Sequence, residues 1–236
     1  INKFNITTVH PAFKNQYLPH GVSLDNFDGI VWTGSLLNIY DMSPSIVSQI
    51  ELAKTLFKMK NKIFGSCWGL HVLVTAAGGK IRKNPNGLEA VIAKKININE
   101  AGNAHNLYKG KKKIFDAFCW HYDDTETLPQ DAVILSSNHM SAVQSLYFNK
   151  NNSNIWAVQY HPEFDPIWIG GLMKQREAIL LNHKAYESKS AFDEDKDFFL
   201  NFKDPKYKNK IKEFDDLVNI KSHTLELANW IEELKN

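Results

Sequence analysis

The sequence predicts an α/β protein: an open, mostly parallel sheet flanked by helices, with a small antiparallel region and a helical C-terminal extension. Three observations predict it. Short apolar runs at Asp28-Gly-Ile-Val-Trp32, Lys62-Ile-Phe64 and Ile155 to Tyr160 each open directly into turn residues, as buried parallel strands do. Between the first two runs, Ile46, Ile50, Ala53 and Phe57 repeat at helical spacing. Beyond about Asp165 the pattern is mainly helical and ends in an amphipathic stretch, Thr224 to Leu234, with Leu225, Leu227, Trp230 and Ile231.

Taken in order, Phe4 to Val9 reads as a short strand, followed by a turn-rich stretch to Asn26. The strand ending at Trp32 delivers Thr33-Gly34-Ser35 to the carboxyl edge of the sheet, where α/β proteins keep their sites. Ser43 and Pro44 offer an N-cap and a first-turn proline for a helix reaching about Lys60. The strand Lys62 to Phe64 leads through a tight turn, Gly65 to Gly69, into a helix from Leu70 to Ala77 closed by Gly78-Gly79. From Ile81 to Phe148 short β-like runs recur with turns, among them Ala90 to Lys95, Lys113 to Phe118 and Ala132 to Ser136, and mark the antiparallel region. The expected division is a main domain over residues 1–185 and a helical extension over 186–236.

Composition narrows the function. A 43% hydrophobic and 23% charged chain of 236 residues is ordinary for a soluble globular protein, and no apolar run approaches the ~18 residues of a membrane span. The balance of 28 basic against 26 acidic residues gives a net charge of +2, with no general attraction to nucleic acid or an anionic membrane. Two cysteines, Cys67 and Cys119, argue against a disulfide framework and for a reducing cytoplasm. No cysteine stands in a metal-ligand spacing, no glycine-rich loop ends in Lys-Ser/Thr, and no cofactor is expected.

The residues that bear chemistry fall on one predicted sheet edge. A thiol attacks a carbonyl as thiolate, and a helix N-terminus lowers a cysteine's pKa; Cys67 is placed there, with Gly65 and Gly69 permitting a sharp strand-to-helix bend. A buried structural cysteine would fit the same turn. His161 and Glu163 flank Pro162 just after a predicted strand, so an imidazole could be held in one tautomer by a carboxylate and serve as a base. Attack on an amide also requires donors for the oxyanion, worth roughly 3 kcal/mol each. The backbone N–H groups of Gly34 and Trp68 are the candidates.

Together GSCWGLH and VQYHPEF, with VWTGS and with WHYDD followed by LPQDAVILSSNHMSAVQS, resemble the class I glutamine amidotransferase family, over about residues 4 to 165. The nearest likeness is to stand-alone proteins similar to the amidotransferase domain of GMP synthase, which implies a flavodoxin-like sheet. The resemblance implies that Cys67 attacks a γ-carbonyl, that His161, oriented by Glu163, protonates the departing ammonia or amine, and that water releases glutamate from a γ-glutamyl thioester. It places His121 at the site's rim. Asn138 and His139 are candidates for holding the α-amino or carboxylate group.

Three departures from the family pattern shape the expectation. His71 stands where the family usually has glutamine, four residues after Cys67 and on the same helical face, and so bears on the choice of substrate. The family's first strand and helix have no counterpart before Phe4, so the chain is expected to be incomplete. Only ~70 residues follow Glu163, too few for a synthetase domain. The expected function is hydrolysis of a γ-glutamyl amide, either free-standing or as the subunit that passes ammonia to a synthetase partner. The alternative is a non-catalytic binding or regulatory protein that keeps the fold.

Overall fold

A computed structural model describes residues 4–13 and 18–235. Among the described residues nine strands are formed: β1 (Ile30–Trp32), β2 (Lys62–Ser66), β3 (Lys80–Lys83), β4 (Glu89–Ile98), β5 (Ile114–His121), β6 (Asp123–Thr127), β7 (Val133–Ser137), β8 (Ser145–Lys150) and β9 (Ser153–Val158). Seven make one mixed sheet in the order β1-β2-β9-β8-β7-β4-β5, while β3 and β6 pair separately. The pairings β1–β2 and β2–β9 are parallel, and those from β9 outward to β5 are antiparallel. The antiparallel part thus takes more of the sheet than its turn-punctuated sequence suggested, because β8 returns directly onto β9.

The helices are α1 (Pro44–Lys58), α2 (Trp68–Ala76), α3 (Glu100–Ala104), α4 (Pro166–Gln175), α5 (Glu177–Asn182), α6 (Lys189–Asn201), α7 (Lys208–Glu213), α8 (Asp215–Val218), α9 (Ile220–His223) and α10 (Leu225–Glu233). Alternation along β2 and β9 sorts the core. Ile63, Ile155 and Ala157 face Ile46, Ile50 and Leu73 of α1 and α2. Phe64, Trp156 and Val158 face the other side, where Trp230 of α10 packs with its ring 5.9 Å from that of Phe64. A third cluster joins Val91 and Phe118 of the antiparallel strands to Ile169, Met173, Phe192 and Phe199 on α4 and α6. Among the described residues no helix is long and apolar enough to cross a membrane.

Phe4 to Val9, predicted as a strand, is not one: it pairs with no other strand, and Phe4 and Ile6 are 51% and 83% exposed. A strand is stable only when its backbone groups find a ladder, and among the described residues the edge strand β1 has β2 as its one partner.

The bend after β2 depends on glycine. A Cβ on Gly69 would lie 2.2 Å from the carbonyl oxygen of Trp32, and one on Gly65 would lie 2.8 Å from the carbonyl carbon of Gly69. The contacts are with backbone, which cannot swing aside. Gly69→Ala is therefore expected to cost about 1–3 kcal/mol and to lower the melting temperature.

Candidate functional site

Cys67 lies between β2 and α2, where it caps the helix with φ 51° and ψ −104°. A non-glycine residue there is strained by about 1–3 kcal/mol. The surroundings hold it: the Cys67 N–H donates to Val158 O at 2.8 Å, and His71 N–H donates back to Cys67 O at 3.2 Å. Its sulfur, 3.5 Å from the carbonyl oxygen of Trp120, sits at the N-terminus of α2, where unpaired N–H groups favour a negative charge.

Beyond β9, the chain brings His161 to the same edge, its N–H donating to Phe118 O at 2.7 Å. The imidazole lies close enough to Cys67 for their charges to interact, while Nδ1 donates to Glu163 Oε1 at 2.8 Å. Nε2 is therefore the nitrogen toward the sulfur. Burial opposes a charge on this ring, but Cys67 and Glu163 outweigh it and raise the pKa to about 10. Burial would also raise the Glu163 pKa, yet His161 and a 2.9 Å hydrogen bond from Ser66 Oγ leave it lowered. The ring is locked further by Phe164, stacked on it at 3.8 Å and 8°. Gly34 closes another side, since a Cβ there would meet His161 Cε1 at 2.5 Å.

The thiol opens into a cleft lined by Ser35, Leu37, His71, Trp120, His121 and Asp123, among others. The N–H of Trp68, first residue of α2, is one of the donors a helix leaves free at its start. Its indole donates instead to Gln49 Oε1 at 2.8 Å. His71 is 3% exposed and bonds Gln159 Oε1 at 3.0 Å. Burial pushes its pKa down to about 4, helped by the nearby His121 and opposed by the Gln159 hydrogen bond, so the ring is neutral. His121 faces the carbonyl oxygen of Asp123 with Nδ1 at 2.9 Å and Glu89 Oε2 with Nε2 at 2.7 Å.

The predicted residues Cys67, His161, Glu163, Gly34, Trp68, His71 and His121 thus share one neighbourhood. Asn138 stands behind it, donating to Glu89 Oε1 at 2.6 Å while its own oxygen organises the turn through Met140 and Ser141 N–H. His139 is exposed and does not line the cleft. Cys119 is fully buried, and burial, with Glu89 and Cys67, raises its pKa well above normal, which keeps it a thiol. Among the described residues no cluster of three or more His, Cys, Asp or Glu could hold a metal. Sequence reasoning passed over Ser66, Glu89, Gln144, Gln159 and Phe164. Ser66 and Phe164 had one signal, adjacency to Cys67 and Glu163.

Comparison with known proteins fits this geometry. The family model described as glutamine amidotransferase class-I matches residues 2–176. A γ-glutamyl-L-1-hydroxyisopropylamide hydrolase from Pseudomonas sp is 32% identical, over 70% of this chain and 57% of the relative. Gamma-glutamyl peptidase 5 of Arabidopsis thaliana is 26% identical, over 62% of this chain and 58% of its own length. The glutamine-hydrolyzing GMP synthase of Petrotoga mobilis is 27% identical over 60% of this chain, but only 26% of that protein is covered. The chain therefore spans less than two thirds of each of these relatives. In fold, a glutamine amidotransferase from Thermotoga maritima superposes with a TM-score of 0.71 at 16% identity, covering 94% of this chain and 83% of the other. With three quarters of its length matched by the family model and its fold shared with the Thermotoga structure, the chain belongs to the class I glutamine amidotransferase family.

Proposed function

We propose that this chain is a cytoplasmic cysteine hydrolase of γ-glutamyl amides, with Cys67 as nucleophile, His161 as general acid and base, and Glu163 orienting His161. One observation carries it: a strained cysteine at a helix N-terminus, beside an imidazole that its charge influences and whose Nδ1 is held by a carboxylate at 2.8 Å. The Cys67 thiolate adds to the γ-carbonyl, and the N–H groups of Gly34 and Trp68 receive the oxyanion. As the C–N bond breaks, His161 Nε2–H gives its proton to the leaving amine. His161 then takes a proton from water, which attacks the thioester, and the sulfur departs as thiolate with glutamate as product. His71 and His121 bound the γ-glutamyl group, and Asn138 acts through Glu89. The names of the Pseudomonas and Arabidopsis relatives favour a substituted γ-glutamyl amide over transfer of ammonia to a synthetase.

Assay of the purified protein on glutamine and on a panel of γ-glutamyl alkylamides and peptides tests the reading. Glutamate release with the substituted amides preferred is expected; no turnover of any of them, and no labelling of Cys67 by a glutamine-like diazoketone, would favour a non-catalytic protein.

The pH profile offers a sharper check. A pKa raised to about 10 keeps His161 protonated through neutral pH, so the imidazolium that gives its proton to the leaving amine persists there and is lost as pH climbs through that value. The alkaline limb of kcat/KM is expected near pH 10. Glu163→Gln removes one of the charges that raise the pKa and should move that limb to lower pH; a limb that stays put would mean Glu163 does not act on His161.

A further inference from the structure

The wall behind the catalytic imidazole is aromatic, and the start of α4 builds it. Asp165 caps the helix, its Oδ1 accepting from Trp168 N–H at 2.8 Å, and Pro166 takes the first helical position, where its fixed φ suits the turn. The cap sets Trp168 over Phe164, with ring centroids 3.9 Å apart and a tilt of 37°. Phe164 in turn lies flat on His161, at 3.8 Å and 8°. Centroids this close require face contact, and a ring has only two faces. Phe164 therefore gives one to His161 and the other to Trp168, in a stack that runs from a residue 4% exposed to one 48% exposed.

Burial opposes a charge on His161, so its ionised form needs support. Cys67, at the bend between β2 and α2, and Glu163, on the same loop as the ring, are the charged groups that act on it. The remaining sides bring none: Gly34 meets Cε1 without a side chain, and on β5 the Phe118 carbonyl bonds the His161 backbone N–H, not the ring. One of the two anions is temporary. Once Cys67 carries the acyl group its sulfur is uncharged, yet cleavage of the thioester makes His161 take a proton from water and become cationic again. Glu163 is then the single charge beside it. The electron-rich face of Phe164 attracts a cation lying on it, more strongly as water is excluded, and has no proton to lose at any stage. Trp168 covers the far face of Phe164 and keeps water from it.

We propose that Phe164, backed by Trp168, is a positioning residue that holds His161 in its cationic form through the face of its ring, and that this support counts most in hydrolysis of the thioester, when Cys67 is neutral. The second half rests on the γ-glutamyl reading; the first does not. What acts is the electron density of the ring and not its bulk, so an apolar side chain of similar size does not replace it.

The test places mono-, di- and trifluorophenylalanine at position 164 of the full chain, since fluorine drains the face of the ring and nearly keeps its shape; Phe164→Leu and Trp168→Leu accompany the series. Two quantities are followed: the alkaline limb of kcat/KM on a γ-glutamyl anilide, and the titration of the His161 ring by nitrogen-15 NMR, its signals identified by His161→Asn. Weaker support for the cation lowers its pKa. Both quantities are therefore expected to move to lower pH with each fluorine, by about half to one unit over the series, and furthest in Phe164→Leu, with a smaller shift of the same sign in Trp168→Leu. The kcat should fall about two- to tenfold, and aniline should appear in a larger burst ahead of glutamate than in wild type, because thioester hydrolysis is the step slowed. Should Phe164→Leu not fold, the fluorinated chains decide alone. A limb and a titration that stay fixed across the series overturn the proposal and leave Phe164 as packing. Shifts without the larger burst overturn its second half. If no γ-glutamyl compound is turned over, the γ-glutamyl reading and that second half fall together, and the titration alone judges the first.

Discussion

Cys67→Ser is expected to lower turnover by about 10⁴-fold or more while the protein still folds. The size follows from how such groups act: nucleophile, base and orienting carboxylate work as a unit, and losing the nucleophile alone removes nearly all that the unit supplies. Serine is close in shape and can keep the backbone bonds that hold the bend, Cys67 N–H to Val158 O and His71 N–H to Cys67 O. What it lacks is the acidity of a thiol: its hydroxyl gives up a proton to His161 far less readily, and the helix N-terminus cannot make up the difference. His161→Ala should approach the same floor, whereas Glu163→Gln should be milder because Phe164 stacking and the Phe118 backbone bond still hold the ring. Burst kinetics and thioester trapping would locate the loss in acylation. Equal rates for wild type and Cys67→Ser would end the assignment of Cys67.

How much of this was legible depended on whether the signal was local. The bend at Cys67 announced itself because an apolar run, two glycines and an apolar helix stand side by side, and their close approach to Trp32 and to each other is what the glycines are for. His161 and Glu163 were readable for the same reason, the whole dyad lying within three residues. Glu89 was not. It pairs with residues 32, 49 and 55 positions away, and a glutamate at the start of a strand looks like one facing water until those partners arrive. Gln144 and Gln159 were hidden likewise, since the Glu89 and His71 they bond are distant in sequence. Phe4 to Val9 failed in the opposite sense: its local pattern is strand-like, but pairing is a property of neighbours, and among the described residues no strand pairs with it. Glu226 is the intermediate case. It stands four residues before Trp230, on the buried face of an amphipathic helix, so a charge at a core position was visible while its partner was not.

That partner gives the second large expected effect. Glu226 is 0% exposed and Lys111 5%, and their charged groups meet at 3.0 Å. Lys111 Nζ also donates to Ser222 O at 2.7 Å and lies 4.5 Å above the Phe115 ring, and Tyr160 donates its hydroxyl to Glu226 Oε1 at 2.7 Å. Through Tyr160 the network reaches Tyr108, Ser136 and Ser145, and it ties α10 to the strand end that carries His161. Glu226→Gln keeps the shape and an acceptor for Tyr160 but strands the lysine charge in the core. A buried pair broken on one side costs about 3–5 kcal/mol, on the order of 10 °C in melting temperature for a chain of this size. Lys111→Met should cost a similar amount by stranding the glutamate. The double variant Lys111→Met with Glu226→Leu should recover most of the loss, because apolar residues of similar volume remove both desolvated charges together. Urea unfolding of these variants, with Glu226→Leu alone added to close the cycle with Lys111→Met and the double variant, isolates the pair. If Glu226→Gln costs less than about 1 kcal/mol, the range of an exposed pair, then water reaches Lys111 and α10 is held to the sheet by Trp230 and its apolar neighbours alone.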